Sequence, residues 1–211
     1  MKRLAGAAAA VLILSLSVRF YAGFHNYYAY QELRREAVSI EGSFSRLEAR
    51  LRRAVRFYGN PVFFKELARL YLERALAENE FGTPKSRDEF LDRAQHSLSE
   101  QIVRSPADAF AYYELGKTWM LYNFPLMTYF DRGKACFDEA LRLYPTHEFL
   151  NLSIILTYLT QWQMLTERDR SVVRLRVRMM EKANKDFMPK LRDRWLRSYE
   201  NTEKLDDILT H

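Results

Sequence analysis

The sequence predicts an all-α protein in which antiparallel helical hairpins stack into a short solenoid behind an N-terminal transmembrane or signal-anchor helix. Three observations carry this expectation. Apolar residues recur at every third or fourth position over most of the chain, the period of a helix with one buried face. Capping residues, Gly and Pro punctuate the starts and stops of these stretches. Finally, 211 residues that are 48% hydrophobic hold enough material for a core, while 7 Gly and 6 Pro leave little for the turns of a β-sandwich or for a disordered chain.

Lys2 and Arg3 precede an uncharged run over residues 4–18 in which nothing is more polar than Ser15 and Ser17. Fifteen helical residues rise about 22 Å, short of a hydrocarbon core of about 30 Å, so a span has to continue past Arg19 to Phe24 with the Arg19 side chain snorkelling. Phe20, Tyr21, Phe24, Tyr27, Tyr28 and Tyr30 suit the aromatic belt at headgroup level. A cleaved secretory signal is the rival reading, since its charged start and apolar stretch look the same. Its one small-x-small site, Ser15-Leu16-Ser17, lies inside the apolar run. A buried helix of a soluble protein is the third reading. Both membrane readings put the bulk of the chain on the extracytoplasmic side, and the first makes the protein single-pass. Residues 1–24 are thus read as the anchor or signal and 25–42 as a juxtamembrane linker or helix extension.

Phe44, Leu47, Leu51, Ala54 and Tyr58 form the first helical stripe and predict a helix over 43–57. Asn60 before Pro61 opens 61–79, and Ser86 with Glu89 three residues on opens 87–104. Ser105, with Pro106 at the first helical position and Asp108 at the third, opens 108–122. Each capping oxygen accepts a bond from a backbone amide that a helix start leaves free, and Pro sacrifices no bond there. Further helices are expected at 128–143, 147–163, 169–187 and 190–204, with breaks at Gly59, 82–84, 123–125 and 144–145. Short connections make neighbours antiparallel. The helix from His147 is apolar around nearly its whole circumference, so it is either central to the fold or an uncovered interface. Val173, Leu175, Val177 and Met179 alternate with Arg174, Arg176 and Arg178 at strand period. Helix is preferred there because no partner strand exists in the rest of the chain.

The net charge of +6 is concentrated near the C-terminus: residues 168–199 carry a local +7 and the tail from 200 to 211 about −3. Arg170, Arg174, Arg178, Lys182 and Lys185 form a basic stripe, followed by Lys190, Arg192, Arg194 and Arg197. The stripe is read as a solvated face, or as a surface for anionic lipid headgroups or an acidic partner. Nucleic acid is the least expected.

Superposing Pro106 on Pro145 reveals an internal period of 39 residues. Residues 106–116, with Tyr112, Leu115, Gly116 and Trp119, followed by Gly133, Phe137, Ala140 and Pro145, resemble a tetratricopeptide repeat (TPR) unit. A looser unit before it has Leu67, Ala68 and Tyr71, then Ala94, Leu98 and Pro106, with Gln101 where a small residue is usual. Residues 43–165 are therefore read as a TPR-like domain, with 166–211 as basic C-terminal helices and an acidic tail. The units depart from the family's period of 34 by carrying extra residues between their two helices. The resemblance implies a concave groove lined by Lys65 and Arg69 in the first unit and by Phe110, Tyr113, Lys117 and Met120 in the second. Such grooves hold extended or helical segments of other proteins, and this mixture of cations and aromatics would suit an acidic peptide with an apolar anchor. A fainter likeness, over 129–162, is to the TPR tails of bacterial envelope polysaccharide polymerases and ligases.

The seven glycines are too dispersed for GxGxxG or a Walker loop, the four histidines are never paired at metal spacing, and neither HExxH nor GxSxG occurs. Cys136, the lone cysteine, reads as a small core residue, and the Asn151-Leu152-Ser153 triplet as a chance match to a glycosylation signal. No catalytic residue, cofactor or metal is expected. The expected function is a non-enzymatic scaffold or accessory subunit of a membrane or cell-envelope complex. The alternatives are an accessory factor in surface-polysaccharide or lipid-linked glycan assembly, and a peripheral protein bound to anionic lipid. Self-association is compatible with any of these.

Overall fold

The computed structural model describes residues 2–37, 40–81, 83–122, 128–198 and 205–210. Among them there is no strand, and the helices follow in the order α1 (Lys2–Glu36), α2 (Ile40–Phe57), α3 (Pro61–Phe81), α4 (Pro84–Arg104), α5 (Ala109–Leu121), α6 (Phe130–Leu143), α7 (Glu148–Thr160), a 3-10 turn (Trp162–Met164), α8 (Glu167–Ala183), α9 (Phe187–Ser198) and α10 (Leu205–Thr210). The breaks expected at Gly82 and at 123–125, and the helix continuation expected over 199–204, lie outside the described residues. The chain divides into two compact units, residues 1–133 and 134–211.

In the first unit α1 does not stop at residue 24. It is long and apolar enough to cross a membrane, and its side chains from 7 to 20 are exposed. From Gly23 onward the helix turns into ordinary core: Gly23, Asn26 and Tyr30 are buried against α2 and α3. Tyr30 joins Phe44, Leu47, Leu51, Leu67, Leu70, Tyr71 and Ala94 in one cluster. Polar staples fix the same contact. The Tyr30 hydroxyl donates to Glu66 at 3.1 Å, and Arg34 donates to both carboxylate oxygens of Glu73 at 2.6 and 2.8 Å. Tyr30 therefore belongs to the protein core and not to a headgroup belt.

Helices α3 and α4 form a long hairpin of 21 residues each. Only positions 82–83 separate the two helices. Thr83, not Ser86, is the N-cap of α4: its side chain accepts from the Ser86 amide, Ser86 returns the bond to the Thr83 backbone, and Pro84 takes the first turn. In the same way Asp108, not Ser105, caps α5 by accepting from the Phe110 and Ala111 amides at 3.0 and 3.2 Å. A carboxylate with two free amides in reach caps better than a hydroxyl three residues earlier, and residues 105–108 become a turn.

The second unit is centred on α7, where Leu150, Leu152, Ile154, Ile155, Tyr158 and Leu159 are buried on several sides beneath α8 and α9. Segment 172–179 is helical. Val173, Val177 and Met180 are buried at spacings of four and three, while Leu175 and Met179 stay more than half exposed. Helix α8 starts at a Thr166–Asp169 capping box and ends at Asn184. Lys185 is thus off the helix and off the expected stripe. Asn151 is fully buried, donating to the Pro145 and His147 carbonyls and accepting from Arg176 at 3.1 Å. The folded chain leaves it no room for a glycan.

Candidate functional site

Lys65, Arg69, Phe110 and Lys117 converge on one cleft of about 440 Å³ between α3 and α5, floored by α4. On α3 the apolar lining is Ala68, Leu72 and Leu76, spaced four apart so that they share one face. Leu98 contributes from α4 and Ala111 from α5. Leu76 is half exposed at 52%, a large aliphatic left in the open.

Tyr113 and Met120 do not line this cleft. Tyr113 is buried at 8% exposure and Met120 at 6%. The Met120 thioether fills the space beside Gly133, where an added Cβ would fall 2.7 Å from the Met120 Cε and 3.0 Å from the Gly116 carbonyl oxygen. These two residues are packing, because the faces of α5 that carry them turn toward the neighbouring helices. Trp119 also packs, against Tyr122 and Tyr129, with Arg132 stacked over its ring at 4.8 Å.

The charges of the cleft largely pair off on their own helices. Arg69 bonds Glu73 at 3.1 Å, and Lys117 bonds Glu114 at 3.0 Å while sitting over the Tyr113 ring. Among the described residues no acid pairs with Lys65, which is exposed. The cleft is therefore a balanced, amphipathic surface with one free ammonium and not a strongly basic groove.

At its floor lies Gln101, 2% exposed. Its carboxamide nitrogen donates to Asp108 Oδ2 at 2.8 Å, and Asp108 Oδ1 in turn caps α5. That chain of bonds orients the amide, and among the described residues no donor reaches its enclosed oxygen. A buried acceptor without a partner is a cost unless something donates to it. Nothing in the sequence singled out Leu72 and Leu76 from other helix-face leucines.

A second concavity of about 500 Å³ lies in the second unit among α6, α7 and α8. Its polar groups serve one another: Lys134 bridges Asp138 and Asp169 at 2.8 and 3.0 Å, and the Tyr158 hydroxyl donates to Asp138 at 3.1 Å. Burial, followed by the Asp138 charge, raises the Tyr158 phenol well above its ordinary range. Burial pushes the Cys136 thiol up to about 11, so it rests as an unreactive thiol at neutral pH. The expected basic stripe is broken up. Arg170 and Arg174 stack over Trp162 at 5.6 and 5.2 Å, whereas Arg178, Lys182 and Lys185 are exposed. Lys190 is held by Glu148, and Arg194 lies over Phe149. Among the described residues no three His, Cys, Asp or Glu side chains gather as a metal set.

Fold and cleft together define an all-helical, repeat-like protein with one candidate membrane-spanning helix and an amphipathic groove. No protein-family model matches the chain, and no curated protein matches it.

Proposed function

We propose that this is a membrane-anchored helical-repeat scaffold that holds a segment of another protein in the α3–α4–α5 cleft, without chemistry of its own. The observation that carries the reading is the meeting, in one open cleft, of Lys65, Arg69, Phe110 and Lys117 with Leu72, Leu98 and the half-exposed Leu76. The partner that fits supplies an aliphatic anchor to Leu72, Leu76 and Leu98 and an acid to Lys65. Because the other cations of the cleft are already paired, the anchor contributes more than the charge. The exposed apolar part of α1 then holds the unit at a membrane.

A photo-crosslinker at Leu76 of the full-length protein tests the cleft in native membranes. One crosslinked protein is expected, and it should disappear when Lys65→Glu and Phe110→Ala are combined, with helicity unchanged. An undiminished crosslink in that variant would place the binding surface elsewhere. Intact mass from purified membranes should retain residues 1–24. A mature start near Val18 would turn α1 into the remnant of a signal.

A further inference from the structure

The passage of α1 from lipid-like exposure to protein core occurs without any spacer, and this bears on the surface next to it. Residues 4–18 supply about 22 Å of helix against a hydrocarbon thickness of about 30 Å, leaving a span about 8 Å short. The next turns of α1, which must make up the difference, are already packed against the α2–α3 turn. Arg19 Nε donates to the Phe57 carbonyl at 3.3 Å. The Phe20 ring lies 5.0 Å from that of Tyr58, and the Phe24 ring 5.2 Å from that of Phe63. At Gly23 an added Cβ would fall 2.6 Å from the Tyr58 Cβ, so the two backbones are in near contact. The end of α4 reaches the same level, because Arg104 stacks over Phe64 at 4.4 Å and abuts Gly59.

This end of the unit exposes apolar side chains that have no role in the core: Phe57 at 40%, Val62 at 46% and Val103 at 74%. Arg53 and Arg56, on the last turns of α2 just before Phe57, are exposed, and among the described residues no acid pairs with either. Aromatic and aliphatic tips ringed by free cations are the composition of a membrane interface.

We infer that the α2–α3 turn and the end of α4 form a foot seated in the headgroup layer, with Phe57, Val62 and Val103 inserted and Arg53 and Arg56 against anionic lipid. The inference rests on reading α1 as a membrane span. Filling the shortfall of the span with the foot draws the first unit down onto the bilayer and sets its attitude. The cleft at α3 and α5 is then presented at a set height above the lipid.

Nitroxide labels on single cysteines test this in the full chain carrying Cys136→Ser, reconstituted into phosphatidylcholine liposomes with and without phosphatidylglycerol. Labels are placed at Leu12 in the span, at Val62 and Val103 in the foot, and at Glu89, about 22 Å up α4 from Arg104 at ~1.5 Å per residue. Oxygen should relax Leu12, Val62 and Val103 more effectively than a water-soluble nickel complex, with the reverse at Glu89. Combining Arg53→Glu with Arg56→Glu should return Val62 toward the Glu89 behaviour in the anionic liposomes. If Leu12 lies in lipid while Val62 and Val103 are as open to nickel as Glu89, the foot is wrong and the span stands. If Leu12 is open to nickel too, both fall together.

Discussion

At the scale of single residues, three glycines rank themselves by what a methyl group would meet. Gly23 and Gly133 sit inside helices, where Ala is favoured by about 1 kcal/mol on propensity alone. At Gly23 that gain is overturned, because the obstacle is the Cβ and backbone of Tyr58, which cannot yield without moving α2. Gly23→Ala should cost about 1–3 kcal/mol in denaturant unfolding. Gly133→Ala should cost less, since a flexible Met120 tip is the nearest obstacle, and Gly59→Ala, facing the mobile Arg104 tip with the Phe64 ring at ordinary contact distance, should stay within about 0.5 kcal/mol. Tyr30, Tyr71, Tyr122 and Tyr158 share another property. Each phenol is raised, first by burial and then by the carboxylate beside it: Glu66, Glu48, Asp92 and Asp138 respectively. The unfolded chain releases these protons near pH 10, while the fold retains them. The stability they contribute is complete below that pH and is lost as pH rises through the folded values, by up to about 1.4 kcal/mol per pH unit for each group. Absorbance at 295 nm should show at least these 4 of the 13 tyrosines ionising only in the step in which helicity is lost. Ionisation ahead of unfolding would mean that they are not buried.

At the scale of elements, Asp108 joins two functions, capping α5 with one oxygen and holding the Gln101 amide with the other. Asp108→Ala should therefore cost about 2–4 kcal/mol by thermal unfolding, the sum of a lost cap and a buried amide left unpaired. Asp108→Asn keeps the cap but faces the Gln101 amide with an NH₂, so Gln101 must turn its oxygen toward residue 108 to keep a bond there. That variant should unfold near the wild-type temperature, well above Asp108→Ala. Element boundaries also show where sequence reading reached and where it stopped. Helices were legible from periodicity within a few residues, because burial of one face leaves a mark every third or fourth position. Caps were less so: Thr83 and Ser86, or Ser105 and Asp108, look equally able to start a helix until the orientation of the preceding turn is known. The alternation over 172–179 was ambiguous for the same reason, since Val173 and Val177 satisfy both periods and only neighbouring helices choose between them.

At the scale of the whole molecule, composition and spacing were enough to establish an all-helical chain with an apolar leader helix. The hydrophobic pattern is written one residue at a time and survives without knowledge of neighbours. Four of the six nominated groove positions met in a cleft because they lie on the outward faces of α3 and α5. Tyr113 and Met120 were lost to the core because aromatic and thioether side chains suit a groove and an interior equally well. The continuation of α1 into the first unit, the bond from Arg19 to the α2–α3 turn and the unpaired oxygen of Gln101 depend on distances between residues far apart in sequence. Such distances leave no periodic trace. Local hydrophobic order therefore dictated the helices, whereas the point at which α1 passes from exposure to core and the chemistry of the cleft arose only when those helices packed.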